Sequence, residues 1–553
     1  MDFALAAGLP VLYFSPAGFG AVFSQKCNNR KGVVKVADAI LPGGRAMTLT
    51  RKARISIIFA TLLALLLGAL DTLAMGAAMP TIVSELGGLH LYSWVFSAYM
   101  LARAVSLPIF GKLCDLFANR TLFSISILIF LAGSVMAGVS ASMVQLTASR
   151  VIQGIGAGGV FALTYIVLSD ISTPEKRGKM MSLASFVWGL ASVLGPSFGG
   201  FLVSVASWRW IFFINLPLGG LSLLGLRLFL TETREKRSRA RIDYRGALLL
   251  STAILSLLGA FLLAGRNYAW FSPEIGGLLL LFLASFSAFI AAERRAPEPI
   301  LPIEFFRVAG FSLGNGAVFF SSVAIFCVAA YSPLFIQGAL GHTPMELGLA
   351  MISLSMGWSA GALLCGQLVH RLRERPAAIL GGCFLVAGTG LAATFTAQTE
   401  LLACSVALGL AGIGMGFVSI STLLIVQNSV GPSHLGVATS SHQFTRSLGG
   451  TIGIGICGGL VTARFLEKVE GRLGAEAVAA IPPDLWVRIR ENFENLFRPE
   501  VQERLSDGVR AAMQSAIGES ILLVFWFTLA AAVVCLGVGM FLPESGTRQY
   551  DLG

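Results

Sequence analysis

Charge is what this sequence has least of. Of its 553 residues only 12% are Asp, Glu, Lys or Arg, 55% are hydrophobic types, and mean hydropathy is +0.78. Soluble domains carry roughly 25% charged residues, so a soluble globular chain is excluded. The eight cysteines (Cys27, Cys114, Cys327, Cys365, Cys383, Cys404, Cys457 and Cys535) form no CxxC pair and lie at no metal-ligand spacing from a histidine. They read as small apolar packing residues rather than a disulfide framework or a zinc module. His90, His342, His370, His434 and His442 sit singly, and no Ser-His-Asp set, HExxH motif or Cys/His cluster stands near a membrane face. No enzyme, catalytic residue, metal or cofactor is therefore expected. GxxxxGK[ST] is missing too, which excludes ATP as a driver. A formal net charge of +11 does not indicate nucleic acid, because the Lys and Arg fall in short clusters between apolar runs, with no aromatic-interleaved basic domain.

What is present is a succession of apolar runs. A stretch of about 20 residues crosses a hydrocarbon core of roughly 30 Å as a helix. Such runs begin near Ile55, Tyr92, Thr121, Met143, Met180 and Ile211, then near Gly246 and Pro273, then near Phe311, Leu347, Ala377, Leu401, Ser441 and Ser520. The layout is six, two, six, an all-α polytopic membrane protein of 14 transmembrane helices. Its bounds are 51–232 for a first six-helix bundle, 233–308 for a linker and the inserted spans seven and eight, and 309–543 for a second bundle. An extracellular loop over 465–518 and a tail over 544–553 complete it.

Lys and Arg in the short loops set the orientation. Lys112 with Arg120, Lys176 with Arg177 and Lys179, the run from Arg234 to Arg245, Arg294 with Arg295 and Arg307, and Arg371 with Arg373 and Arg375 all follow even-numbered spans. The alternate short loops offer little beyond Arg209 and Arg266, and the loop from Asn428 to Ser440 has no Lys or Arg. The basic loops should face the cytoplasm, with both termini there, in a cell (cytoplasmic or inner) membrane. Residues 1–50 form the N-terminal cytoplasmic tail. Its opening "MDFALAAGLPVLYFSPAGFGAVF" lacks a basic n-region and is broken by Pro10 and Pro16, so Met47 is the expected natural start. In the long outer loop, pieces such as "PPDLWVRIRENFENLF" read as a solvated amphipathic flap.

One acid stands out against this background. In "LLLGALDTLAMGAAMP", Asp71 lies in mid-span, where an ionised carboxylate costs about 2.5 to 3.5 kcal/mol on insertion scales, so it should face a cavity or a partner. Span four supplies Arg150. Counting 1.5 Å per residue from the ends of spans one and four places both side chains at about the same depth, roughly 10 to 12 Å below the outer surface. On the same helical face as Arg150 are Gln153, Gly154, Ala157, Gly158, Phe161 and Tyr165. Desolvation opposes ionisation of such an acid and a guanidinium favours it, so a conformational change that alters their distance can switch a proton; a static structural salt bridge is the alternative. Span five adds "GLASVLGPSFGG", in which Pro196 removes a backbone donor and Gly195 with Gly199 permits close helix approach. Gly357 with Gly361 and Gly449 with Gly453 repeat that spacing.

Together these motifs resemble the major facilitator superfamily, and within it the fourteen-span drug:proton antiporter family of multidrug-efflux type, from about Arg51 to Pro543. "LDTLAMGAAMPTI" is similar to the first-span motif at Leu70, Asp71, Thr72, Ala78 and Pro80. "GKLCDLFANR" is similar to the loop motif between spans two and three at Gly111, Leu113, Asp115 and Arg120, with Ala118 and Asn119 departing from the usual Gly and basic residue. "RVIQG" resembles the fourth-span motif at Arg150, Gln153 and Gly154, and "GPSFGG" (Gly195, Pro196, Gly199 and Gly200) followed by "SWRWIFFINLPLG" resembles the fifth-span antiporter signature and the start of span six. "GQLVHRLRERP" echoes the loop motif in the second half, with His370 where the first has Asp115, an internal repeat of the kind transporters carry.

The resemblance implies the major facilitator fold, two six-helix bundles plus two inserted helices, rocking about a cavity lined by spans one, four, nine and twelve. It implies a proton-coupled secondary active exporter of small amphiphilic organic compounds. Asp71 would be the proton site, Arg150 its modulator, and Gly111, Asp115 and Arg120 with the span-five glycines the conformational motifs; Asp115 can lie against the positive N-terminal end of a neighbouring helix. Candidate cavity contacts are Gln153, Tyr165, Asn315, Tyr331, Gln337 and Gln427, with Arg103 and Arg446. The two arginines, in a chain whose second-half spans hold no well-buried Asp or Glu, favour anionic or neutral cargo over dications; arginines that bind backbone carbonyls or reach the interface are the alternative. The expected partners are the lipid bilayer, a small-molecule substrate and protons; accessory efflux proteins are not specified by any motif. The competing class is a non-transporting membrane receptor or sensor that uses the loop from Arg464 as its ligand module.

Overall fold

In hydrocarbon every backbone N–H and C=O has to be satisfied within its own segment, so apolar runs of this length fold as helices. The computed structural model describes residues 50–88, 91–231, 242–264, 268–479, 482, 485 and 507–544. The Met47 start, residues 1–49, most of the basic run after Arg234, nearly all of the outer-loop piece from Pro482 and the tail beyond Glu544 lie outside them. Among the described residues there are 14 helices long and apolar enough to cross a membrane, and no strand.

They are α1 (Arg51–Leu86), α2 (Tyr92–Leu116), α3 (Asn119–Gly138), α4 (Met143–Asp170) and α5 (Pro174–Val205). Next come α6 (Trp210–Phe229, interrupted at Ile214), α7 (Tyr244–Leu263) and α8 (Pro273–Glu293). The second bundle has α9 (Ala309–Pro333, prolonged by a π-helical turn over Leu334–Ala339), α10 (Pro344–Leu372), α11 (Glu374–Ala393), α12 (Leu401–Asn428), α13 (Leu435–Ala479) and α14 (Asp507–Met540). Local signals set several ends. Ser142 caps α4 by accepting from the Gln145 N–H, and Thr343 and Glu346 close a reciprocal capping box on α10. The single-residue step from α10 to α11 is Arg373 at φ 64.

Within the first bundle α1 packs on α5 and α6, and α4 lies between α2 and α3; within the second, α12 lies between α10 and α11 and α9 between α13 and α14. Two seams join the halves, α2 against α13 and α5 against α10. Glycine allows both approaches. A Cβ on Gly111 would fall 1.8 Å from the Ser440 hydroxyl, and one on Gly366 would fall 2.5 Å from the Gly178 carbonyl. The inserted α7 and α8 pair with each other, and α7 leans on α2 and α13. Lys112 of α2 holds the strap after α8 through Glu298 at 3.1 Å, and Glu293 accepts from the Ile300 and Leu301 N–H groups at the same end.

Both described ends meet the face that carries the basic loops. Arg54 near the start donates to the Ile171 carbonyl before α5, and Glu544 at the end lies 3.6 Å from Arg375 in the first turn of α11. On the opposite face Glu85 accepts from Arg209 at 2.5 Å and from the Trp208 indole at 2.7 Å, tying α1 to the start of α6. Those two donors hold the Glu85 carboxyl below its usual range, the Arg209 bond most of all.

Candidate functional site

Asp71 is 1% exposed and sits inside the first bundle. One carboxylate oxygen, Oδ2, accepts from Arg150 Nη1 at 2.5 Å. The other, Oδ1, accepts from Gln153 Nε2 at 2.8 Å and from Asn215 Nδ2 at 3.2 Å. The pairing works because Arg150 and Gln153 are three residues apart and share one face of α4. Arg150 Nη1 also reaches Gln153 Oε1 at 2.6 Å, so cation and amide lock each other before meeting the acid. Ser134 of α3 receives the second proton of both amides, at 2.8 Å from Gln153 and 3.2 Å from Asn215. Arg150 lies over the Tyr99 ring at 4.1 Å, and the Tyr99 hydroxyl is 3.3 Å from Thr72 Oγ1. Arg150 Nε is buried with no partner.

This constellation is charge-balanced and draws on α1, α2, α3, α4 and α6. Gln153, placed by sequence among the cavity contacts, is instead wholly buried and bonded inside the acid's own shell. A glutamine one turn from the arginine gives the same sequence pattern in either place. Asn215, Ser134 and Tyr99 were not singled out from sequence. Asn215 does stand in the quoted "FFINLPLG", where a lone amide in an apolar span is the available signal.

A second centre lies where the halves meet. Arg103 of α2, 9% exposed, places its guanidinium over Phe161 at 4.3 Å and near Trp188 at 5.5 Å. Arg446 of α13 approaches the same Phe161 ring at 5.4 Å and interacts with Tyr165. Phe161 meets Tyr165 and Trp188 edge-on, at 5.3 and 6.0 Å. One turn before Arg446, His442 is buried with Nε2 2.9 Å from Thr422 Oγ1, and its Nδ1 has no partner.

The residues of the loop motif between spans two and three lie at the α2–α13 seam and near it. Asp115 accepts from the Gly436 and Val437 N–H groups at 2.8 and 2.9 Å, capping the N-terminus of α13 across the boundary between halves. Asn119, where the resemblance expects a basic residue, donates to Asp170 at the end of α4, and Arg120 donates to the Arg227 carbonyl at the end of α6. His370, at the position that corresponds to Asp115 in the second half, is exposed. The α5–α10 seam thus has glycine contact without the matching acid.

In α5 the glycines divide. A Cβ on Gly195 would fall 2.7 Å from Leu73 and one on Gly199 2.6 Å from the Ala74 carbonyl, so this pair presses on the α1 turn just after Asp71. Gly200 has nothing within 4 Å of such a Cβ and makes no close approach. Pro196 lies inside the helix between them.

The remaining sequence candidates are scattered. Gln427 is 1% exposed and bonded to Thr439 at 2.9 Å, with Ser169 at 3.4 Å, near the basic-loop ends of α12, α13 and α4. Tyr331 donates to the Ile454 carbonyl at 3.0 Å, joining α9 to α13. Asn315 donates to Phe311 one turn back and leaves its Oδ1 unpartnered, and Gln337 is half-buried in the π-helical turn. Sequence grouped these four as lining one cavity because polar residues in apolar spans look alike; Gln427 and Tyr331 serve helix-to-helix bonds here.

A family model described as Major Facilitator Superfamily matches residues 61–454. The chain is 35% identical over 420 residues to "Multidrug transporter protein MdtP" of Bacillus subtilis (strain 168), covering 76% of this chain and 77% of that protein. It is 31% identical over 490 residues to "Multidrug resistance protein 3" of the same organism, covering 87% and 94%. Among solved structures, the proton:xylose symporter XylE bound to 6-bromo-6-deoxy-D-glucose is similar with a TM-score of 0.55 at 15% identity, over 90% of this chain and 98% of that one. At that identity the likeness concerns the fold.

Proposed function

The chain belongs to the major facilitator superfamily, and from that premise we propose that it is a proton-coupled antiporter that exports small amphiphilic organic compounds by alternating access. The printed names of two relatives, both multidrug proteins, support the cargo class. Basic loops gathered on one face support a cytoplasmic assignment of that face in a cell membrane. The halves taken as 51–232 and 309–543 would rock about the two seams, and the Asp115 cap on α13 closes the cytoplasmic side in the state described.

The observation that carries the reading is the sealed pair of Asp71 and Arg150. In the deprotonated state the acid holds Arg150, Gln153 and Asn215, and so binds α1 to α4 and α6. A proton arriving from outside neutralises the carboxylate and leaves the guanidinium without its counter-charge, which favours a rearranged packing of α1 on α4. Because Gly195 and Gly199 press on Leu73 and Ala74, and α5 also packs on α10, movement of α1 is transmitted to the second half. Return of the proton to the cytoplasm and re-formation of the pair completes the cycle.

Reconstituted vesicles test this. Ethidium, 8-anilinonaphthalene-1-sulfonate and N-phenyl-1-naphthylamine serve as cationic, anionic and neutral probes. With Asp71→Asn, export driven by a pH gradient is lost for every probe the wild type pumps, whereas gradient-free exchange of that probe persists. The double variant Asp71→Asn/Arg150→Gln, which leaves no unpaired charge, behaves alike. Normal gradient-driven pumping by either variant retires the coupling role.

A further inference from the structure

Arg103 and Arg446 are two cations on opposite halves of the molecule, each within 5.4 Å of the centroid of one ring, Phe161. Their guanidinium carbons are therefore less than twice that distance apart. Among the described residues neither forms an ion pair. Asp71, on the neighbouring side of Tyr99, is already saturated by Arg150, Gln153 and Asn215. Arg103 is buried and Arg446 half-buried; holding like charges this close with no acid between them is costly, and cation–π contact offsets only part of that cost. By contrast Arg150, 1% exposed, is matched by a carboxylate. The site around Phe161 is short of one negative charge.

We propose that Arg103 and Arg446 are the two jaws of a binding site for an organic anion, a carboxylate or sulfonate on an aromatic body, with Phe161, Tyr165 and Trp188 receiving that body. The guanidinium forks match a planar or tetrahedral oxyanion bidentately; beside them Trp188 is half-buried with its indole Nε1 unpartnered, while Phe161 and Tyr165 are buried behind it and would have to turn to admit an aromatic group. One jaw comes from α2 and the other from α13, so the anion bridges the halves at the seam that Asp115 latches. Occupancy replaces repulsion across that seam by attraction, which ties the charge of the cargo to the relative position of the halves. The inference rests on the transporter reading only for what happens after binding; the site itself is tested at equilibrium.

The test uses the full chain in nanodiscs of neutral phosphatidylcholine, with no gradient. The probes are 8-anilinonaphthalene-1-sulfonate and N-phenyl-1-naphthylamine, which differ by the sulfonate alone, measured by equilibrium dialysis against empty nanodiscs. The wild type binds the sulfonate more tightly than its neutral analogue. Arg103→Gln and Arg446→Gln each weaken the sulfonate by about tenfold or more, leave the neutral probe within about twofold of wild type, and the corresponding Lys variants recover most of the loss. A wild type without preference for the sulfonate overturns the proposal, as do Gln variants that lose both probes together or neither. Failure of proton-driven flux in the wild type, with this binding pattern intact, counts against the antiporter reading and leaves the anion site standing.

Discussion

At the scale of single residues the molecule separates two kinds of buried charge. Asp71 and Arg150 neutralise each other, and two amides and one hydroxyl complete the shell around the acid. Removing one member of such a pair typically costs about 3 to 5 kcal/mol, because the other charge is stranded, which is why the double variant accompanies Asp71→Asn above. Depth counting from helix ends was enough to bring Asp71 and Arg150 together on paper, since a helix rises by a fixed increment. Counting could not say where Gln153 points, because the same glutamine serves a cavity or a carboxylate equally well. Nor could it find Phe161 between two arginines, for which no spacing rule exists across the seam. On the face opposite the basic loops a simpler charge is testable. Glu85 has a depressed pKa, so its contribution to stability is present above the unfolded value of about 4.5 and is lost as pH falls through the lower folded value. Glu85→Gln should lower the melting temperature slightly at pH 7, as for any half-exposed pair, and the difference from wild type should shrink on acidification below that range. A gap that widens in acid would contradict the assignment.

At the scale of elements, close helix approach is a property of particular glycines rather than of glycine-rich segments. Gly199 meets the Ala74 carbonyl and Gly200 meets nothing, although they are adjacent and belong to one motif. Gly199→Ala should therefore destabilise by about 1 to 3 kcal/mol through overpacking, read as a lower melting temperature, while Gly200→Ala stays near wild type; equal effects would remove the α1–α5 contact from the account. The Asp115 cap makes a parallel prediction. Ser440→Cys places a thiol under Gly111, buried at the α2–α13 seam. It should be slow to react with a membrane-impermeant maleimide and react several-fold faster when Asp115→Asn weakens the cap, with the modified site located by mass spectrometry. Unchanged protection would mean that glycine contact alone holds the seam. The motif in the sequence pointed to this latch. Its asymmetry, with exposed His370 at the corresponding place on α10, became plain only when both seams were laid side by side.

At the scale of the whole molecule, the alternation of apolar runs and basic loops was legible because hydrocarbon thickness fixes helix length and leaves few alternatives. Twelve of the fourteen helices begin within a few residues of the expected positions; α13 and α14 begin further upstream, at Leu435 and Asp507 rather than near Ser441 and Ser520. What composition could not supply is how the crossings assemble, with α2 on α13 and α5 on α10, and it is that assembly that places Arg103 opposite Arg446. Charge bookkeeping for the whole cycle follows. If an anion leaves while one proton enters, two charges move in the same electrical sense. A potential negative on the basic-loop side should then accelerate export of 8-anilinonaphthalene-1-sulfonate at zero pH gradient, imposed with valinomycin and potassium, more than export of its neutral analogue. Insensitivity of the anion to potential would exclude that stoichiometry.

The central claim is that Asp71 gives up and regains a proton during transport, and a carbodiimide reads this most directly because it modifies carboxylic acids only in their protonated, reachable form. Purified protein in vesicles is treated with dicyclohexylcarbodiimide across the pH range of transport, and the modified residue is identified by mass spectrometry. The account predicts labelling of Asp71 that is reduced by a transported probe and proceeds in step with loss of gradient-driven export. Asp71 unlabelled at every pH, in protein that still pumps down a proton gradient, would make its pair with Arg150 a fixed strut and contradict the account.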